Sequence, residues 1–358
     1  MRLKEMAGEG LRVQARGRTF QAEKIKRKKP RPERAGRGIA VVVAIVALLA
    51  VTMAAPLFAQ TYPNKPIRFI IPFPAGGASD ILARIIGQKL SELVGQPVVP
   101  ENRGGAGGNI GLEQAAKSRP DGYTIVLSAP AIAISPSLYK KLNYDPIKEL
   151  APISLVAEVP NLVLIRPSLP VNNMKEFVEY VKANPGKVQY GASGIGSSNH
   201  LASILIKSLA KLDMLEVRYK GSAQALIGLV GGEVDMMVIG PPASMPQIQA
   251  GKVKALAVLS RERLPYLPDV PTIKEAGIDN CEVTTWYGML APTGTPREII
   301  QRLNAEWIKI KAMPDTVDKM RKAGTDPISS TPEQFAEFIK TETVRWAKVI
   351  KDANLSVE

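Results

Sequence analysis

The chain has 358 residues, with 47 Lys/Arg against 33 Asp/Glu, one cysteine and one histidine. A single cysteine excludes an internal disulfide, and a single histidine beside it excludes a thiolate–imidazole zinc site. The formal charge of +14 is uneven: residues 1–59 hold thirteen Lys/Arg and four Asp/Glu, so +9 falls there and only +5 on the remainder, which does not argue for nucleic acid.

Residues 39–51 are continuously apolar and are followed by small residues up to Ala59. Basic stretch, apolar run and small-residue exit form the layout of a secretory signal, with cleavage expected after Ala59. A retained anchor is the competing reading, because residues 39–59 approach the ~20 needed to span a bilayer. No cysteine follows the apolar run, so lipid attachment is not expected, and a cleaved product would be a soluble periplasmic protein.

From Gln60 onward about 300 residues remain, enough for two domains. Ile67–Ile71 reads as a short buried strand, ended by Pro72 and Pro74. Gly76 and Gly77 permit a turn, and Ser79 or Asp80 caps a helix in which Ile81, Leu82, Ile85, Ile86, Leu90 and Leu93 recur at helical spacing. Strand, glycine turn and helix N-terminus outline an anion site. Further strands are expected at Tyr123–Leu127, Leu162–Ile165, Lys187–Tyr190, Val234–Val238 and Lys254–Leu259. Helices are expected at 174–184, 197–211, 221–231, 296–312 and 331–351. This alternation predicts α/β layers with mainly parallel sheets.

The opening motif recurs at Val188-Gln-Tyr-Gly-Ala-Ser-Gly-Ile-Gly-Ser-Ser-Asn-His200. Two such turns fit two lobes facing one cleft, since ligands of open α/β sheets lie beyond the carboxyl ends of the strands. A third glycine cluster, Arg103–Gly111, reads as a close backbone approach to a helix. Enzyme signatures are broken. Gly191-Ala-Ser193-Gly-Ile195 lacks the last glycine of a nucleophile elbow, and Gly194-Ile-Gly196-Ser-Ser-Asn199 lacks that of a dinucleotide fingerprint. Ser193, His200 and Asp80 can be drawn as a triad, but capping and ligand hydrogen bonds explain them more simply.

The chain from Tyr62 to Asn354 resembles the Bug family, the extracytoplasmic solute receptors of tripartite tricarboxylate transporters. The resemblance is carried by Pro72-Phe-Pro-Ala-Gly-Gly-Ala-Ser-Asp80, Glu101-Asn-Arg-Gly-Gly-Ala-Gly-Gly-Asn-Ile-Gly111, Pro120-Asp-Gly-Tyr-Thr124 and Gly194-Ile-Gly-Ser-Ser-Asn-His-Leu201. It continues through Tyr219-Lys-Gly-Ser-Ala223, Gly232-Glu-Val-Asp-Met236, Leu267-Pro-Asp-Val-Pro-Thr272 and Trp286-Tyr-Gly-Met-Leu-Ala-Pro292. Ala75 and Gly104 stand where such proteins often carry proline.

The resemblance implies a two-lobed periplasmic-binding-protein (Venus flytrap) fold, each lobe a mainly parallel sheet flanked by helices. Lobe 1 would hold residues 60–162 and 289–358, and lobe 2 residues 163–288, behind a signal or anchor at 1–59. The helix from Pro332, with Phe335, Phe338, Ile339, Trp346 and Ile350 on its apolar side, would pack back on lobe 1. The implied ligand is a small carboxylate: a di- or tricarboxylate, an aromatic acid or an amino acid. It would be held by amides, hydroxyls and water, with no metal or cofactor. The implied contacts are Phe73, Gly76, Gly77, Ser79 and Asp80 on one side, and Ser193, Gly194, Gly196, Ser197 and His200 on the other. Ser128 and Ala131 add a wall, and Lys220, Gly221 and Ser222 complete the set. Asp80 fits a cap as well as a ligand contact, Phe73 fits burial as well as ligand packing, and Lys220 fits a solvated face. The implied protein is a monomer that presents its ligand to a membrane permease or a sensor kinase. The alternative is a hydrolase-like cleft enzyme acting on a carboxylated small molecule, anchored or soluble.

Overall fold

A computed structural model of the chain describes residues 62–352 and 355–356. The expected signal or anchor at 1–59 lies outside the described residues. Among those described there are ten strands and ten α-helices.

The first sheet has the order β2-β1-β3-β10-β4, from β1 (Ile67–Ile71), β2 (Val98–Asn102), β3 (Thr124–Ser128), β4 (Leu150–Pro160) and β10 (Thr284–Pro292). The second has the order β7-β6-β8-β5-β9, from β5 (Leu162–Ile165), β6 (Gln189–Ser193), β7 (Leu215–Tyr219), β8 (Met236–Ile239) and β9 (Lys254–Val258). Each sheet is mixed. In the first, β1 pairs parallel with β2 and β3, and β10 pairs antiparallel with β3 and β4. In the second, β6 pairs parallel with β7 and β8, and β5 pairs antiparallel with β8 and β9. The antiparallel half of each sheet comes from strands at the passage between sheets, where no helical crossover reverses the chain.

Strands β2 and β7 are edge strands that periodicity does not reveal. Pro100 interrupts β2, which is tolerated because β2 pairs on one side only. Leu215 and Arg218 of β7 face solvent. Buried positions on α1 (Ala78–Val94) are Leu82, Ile86 and Leu90, one face at a spacing of four. The helix stops at Gly95, which adopts φ 69° and returns its N–H to Ser91 O. This face and α8 (Arg297–Lys311), with Leu303 and Trp307, cover one side of the first sheet against Phe69 and Ile71. Each such side chain taken fully out of water contributes roughly 1.5–3 kcal/mol.

The other side is covered by α2 (Asn109–Ala116), α3 (Ala131–Leu138) and α10 (Pro332–Asp352). Phe335, Ile339, Trp346 and Ile350 of α10 are buried as their spacing predicts, and Phe338 is partly buried. Between them sits buried Glu342, whose Oε2 accepts from the indole N–H of Trp286 at 3.0 Å and of Trp346 at 3.1 Å. In the second sheet α4 (Met174–Ala183) and α5 (Ser198–Leu209) cover one side, and α6 (Ser222–Gly231) the other. Two shorter helices, α7 (Pro241–Gln249) and α9 (Pro314–Lys322), complete the set.

The chain leaves the first sheet at Pro160 and enters the second at Leu162, so a single residue, Asn161, joins them. It returns between Val258 and Thr284. Asn161 N and Nδ2 both donate to Val283 O, at 3.4 and 2.9 Å, and Leu259 N donates to Asn161 O at 2.7 Å. The two passages are thus clasped together by backbone and one buried amide.

Candidate functional site

The loops beyond β1, β3, β6 and β8, with β10, enclose a cavity of about 40 Å³ between the sheets. That is room for roughly three water-sized groups. Its walls include Gly77, Ala78 and Ser79 at the start of α1, Pro130 and Ala131 at the start of α3, and Ser197, Ser198 and Asn199 at the start of α5. Ser222 opens α6, and Gly240 caps α7. Five helix N-termini therefore converge on one space. The first-turn N–H groups of a helix have no partner within it, and its N-terminus carries about half a positive charge. No Lys, Arg, His, Asp or Glu is among the described residues of the wall. The cavity is positive by dipoles alone.

Two hydroxyls define its chemistry. Ser193, at the end of β6, is buried, and its Oγ has no hydrogen-bond partner among the described residues. A buried donor left unpaired is costly, which makes it a group awaiting an acceptor. Tyr287 of β10 is buried in the opposite wall. Burial pushes its hydroxyl well above the ordinary tyrosine value, and the Ser79 hydroxyl eases this only in part, so it remains an O–H donor. Thr285, also on β10, joins wall to hinge. Its Oγ1 lies 2.8 Å from Ser198 Oγ and accepts from Asn161 Nδ2 at 3.0 Å.

Of the residues expected from sequence, Phe73, Gly77, Ser79, Ala131, Ser193, Ser197 and Ser222 line this cavity. Gly194 and Lys220 instead line a neighbouring open groove of about 770 Å³, with Tyr139, Arg218 and the glycines from 104 to 108. Phe73 and Pro74 are walls of both.

The remaining expected residues stand outside the cavity wall. Gly76 donates its N–H to Asp80 Oδ2 at 3.0 Å, and Asp80 Oδ1 accepts from Arg84 Nε at 3.0 Å. Burial opposes the Asp80 charge, but Arg84 and the Gly76 amide outweigh it and hold the carboxyl below its usual range. Asp80 thus orders the turn. Ser128 is fully buried and donates to Ala129 O at 3.0 Å. Gly196 faces Leu138 and Tyr139 of the first lobe, and donates its N–H to His200 Nδ1 at 3.1 Å. His200 Nε2 meets Glu216 Oε2 at 3.2 Å. Gly221 is buried against Pro74 from the opposite lobe.

Thr285 and Tyr287 were not anticipated from sequence, nor were Ser198, Asn199 and Gly240. The signal for the first pair is alternation: Thr285 and Tyr287 share one face of β10, while Trp286 points the other way, edge-on to Phe335 and Phe338.

The lobes touch across the cleft. A side chain on Gly76 would meet Ala223 Cβ at 3.2 Å, one on Gly77 would meet Ser222 Oγ at 2.8 Å, and Tyr139 Oη donates to Ile195 O at 3.3 Å.

Comparison with known proteins agrees with this architecture. The family model of the tripartite tricarboxylate transporter family receptor matches residues 82–355. Protein BugT of Bordetella pertussis is 35% identical over 321 residues, 88% of this chain and 98% of that protein. The structure of R. palustris Rpa4515 with adipate superposes with a TM-score of 0.80 at 36% identity, covering 82% of this chain and 99% of that one. MatC from Rhodopseudomonas palustris with bound malate gives 0.76 at 33% identity, covering 81% and 100%. With its two lobes and a match over most of its length, the chain belongs to the receptor family of tripartite tricarboxylate transporters, the solute-binding Bug proteins among them.

Proposed function

We propose that this receptor seats one carboxylate of its ligand in the inner cavity, with the carbon skeleton running past Phe73 toward the outer groove. The observation that carries the reading is the cavity itself: five helix N-termini and the unpartnered Ser193 hydroxyl around a space with no charged wall residue among the described residues. An anion there gains dipole attraction and hydrogen bonds without the desolvation penalty of a buried ion pair. Adipate and malate, the ligands of the two relatives above, are the first compounds to test.

Binding draws the lobes together, because wall residues come from both sheets and only a closed cleft brings them to one ligand. A permease or a sensor kinase would then read the closed shape, with the receptor acting as an exported monomer that has lost the residues before Gln60. Intact mass of the exported protein tests that last point. Binding without turnover is supported by Ser193 and His200. The serine hydroxyl has no base on it, and both ring nitrogens of the histidine are engaged elsewhere.

The test is a thermal-shift screen of residues 60–358 against small mono-, di- and tricarboxylates. A ligand at a hundred times its dissociation constant raises stability by about 2.7 kcal/mol, and a selective rise for one chemical class is expected. Absence of a rise with every acid, in protein shown by mass spectrometry to retain no ligand, would sink the carboxylate assignment.

A further inference from the structure

The two glycine turns are built alike, and the likeness extends to one side chain. Gly76 has φ 83° and is followed by extended Gly77 (φ −83°, ψ 172°), the N-cap of α1; Gly196 has φ 79° and is followed by extended Ser197 (φ −70°, ψ 156°), the N-cap of α5. In both, the third helical residue folds back to accept the N–H of the glycine four positions earlier: Asp80 takes Gly76 at 3.0 Å, and His200 takes Gly196 at 3.1 Å. One acceptor is a carboxylate and the other an imidazole.

That bond fixes the tautomer. Nδ1 must be the bare nitrogen, so the proton sits on Nε2, directed at Glu216 Oε2. Glu216 is anchored in turn by the hydroxyl of Tyr190 at 2.7 Å and by Arg218 Nε at 2.6 Å. On the other side of the turn, Ser197 Oγ accepts from His200 N at 3.2 Å and donates to Ser193 O at 2.7 Å. The imidazole thus grips the turn at Gly196, while Ser197 Oγ ties the backbone N–H of His200 to the backbone carbonyl of Ser193, and both serines line the ligand cavity.

We infer that His200 is the positioning residue of the second wall, and that protonating it releases Gly196 and loosens the wall carrying Ser193, Ser197 and Ser198. This rests on the reading of the cleft as the ligand site. A proton on Nδ1 would set two donors against each other at 3.1 Å and place a positive charge at a helix N-terminus. Among the described residues, the titratable and charged groups facing the ring are Glu216 and Arg218 from β7, with Tyr190 from β6 bonded to Glu216 and Tyr139 at the end of α3 beside Gly196; Leu355 and Ser356 add none. Burial disfavours the cation and Glu216 favours it, with the balance below the ordinary imidazole value. The bare-Nδ1 form is thus fully present above that ordinary value. Its contribution is lost as pH falls through the lowered one.

The chain has one histidine, so its ring gives one unambiguous nuclear magnetic resonance pattern. Protein of residues 60–358 without a histidine tag is expected to show the Nε2–H tautomer at pH 8. On acidification, the Gly196 amide should shift with the same midpoint as the ring. An Nδ1–H tautomer, or a Gly196 amide indifferent to the ring charge, overturns the inference. A ring that never charges before the protein unfolds overturns the acid response.

Calorimetry with malate and adipate supplies the binding arm. His200→Asn keeps an acceptor near the Nδ1 position but does not titrate. Wild type should lose on the order of tenfold in affinity relative to this variant between pH 8 and a pH one unit below the ring midpoint found by resonance, a comparison that cancels titration of the ligand. Equal losses overturn it. If neither acid binds at any pH, the choice of ligand fails while the resonance arm still decides the role of His200.

Discussion

Ser193 is the residue on which the ligand reading is most exposed to test. Removing a buried hydroxyl that has no partner costs the empty protein nothing and relieves a desolvated donor. Ser193→Ala should therefore melt at the same temperature as wild type or slightly higher, while its carboxylate affinity falls by about 1.5–3 kcal/mol. Calorimetry beside a thermal melt checks both signs, and equal affinity would remove Ser193 from the site. Both glycine turns were legible at this scale, because a short apolar strand ending in glycines before a periodic helix has few other uses. What stayed hidden was which amides are free. Gly76 and Gly196 look like ligand donors in sequence, but Asp80 and His200 turn back four residues and occupy them. Local pattern marks a turn without saying where its hydrogen bonds go.

Among the elements, α5 and its turn carry the next prediction. A side chain on Gly196 would need φ near 79° and would sit 2.5 Å from Leu138 Cδ2. Gly196→Val should cost about 1–3 kcal/mol in strain and weaken binding, with circular dichroism retained. The mechanism is displacement of the wall, since the Gly196 amide itself is already taken. Helix α10 offers an independent test of the core. Glu342→Leu leaves the indoles of Trp286 and Trp346 without their acceptor, so urea unfolding should show a loss of about 2–4 kcal/mol. The amphipathic face of α10 was plain from its spacing. The edge strands β2 and β7 were not, because a strand paired on one side needs no apolar run. Thr285 and Tyr287 escaped for a different reason: they reach the cavity from a strand whose partners are far away in sequence, and only their alternation with Trp286 marks them.

On the scale of the whole molecule, ligand should contract the protein. Small-angle scattering of residues 60–358 is expected to give a smaller radius of gyration with saturating ligand, and no change for Ser193→Ala at a concentration too low to occupy it. An unchanged radius for wild type at proven saturation would refute closure. The alternation of strands and helices made the α/β class readable, but the mixed order of the sheets was not, because direction depends on which strands meet at the passage between lobes. The single residue at that passage has a further consequence, which concerns order in time. A cleft that turns about Asn161 and its clasp on Val283 moves least beside the pivot and most at the lips. In the closure proposed above, Thr285, bonded to Asn161 itself, would hold its place from the start, whereas Gly77 and Ser222, at the lips, would meet last. Under that proposal the back wall would read the ligand first and the lips only afterwards, so a solute that fails against β10 would not bring them together.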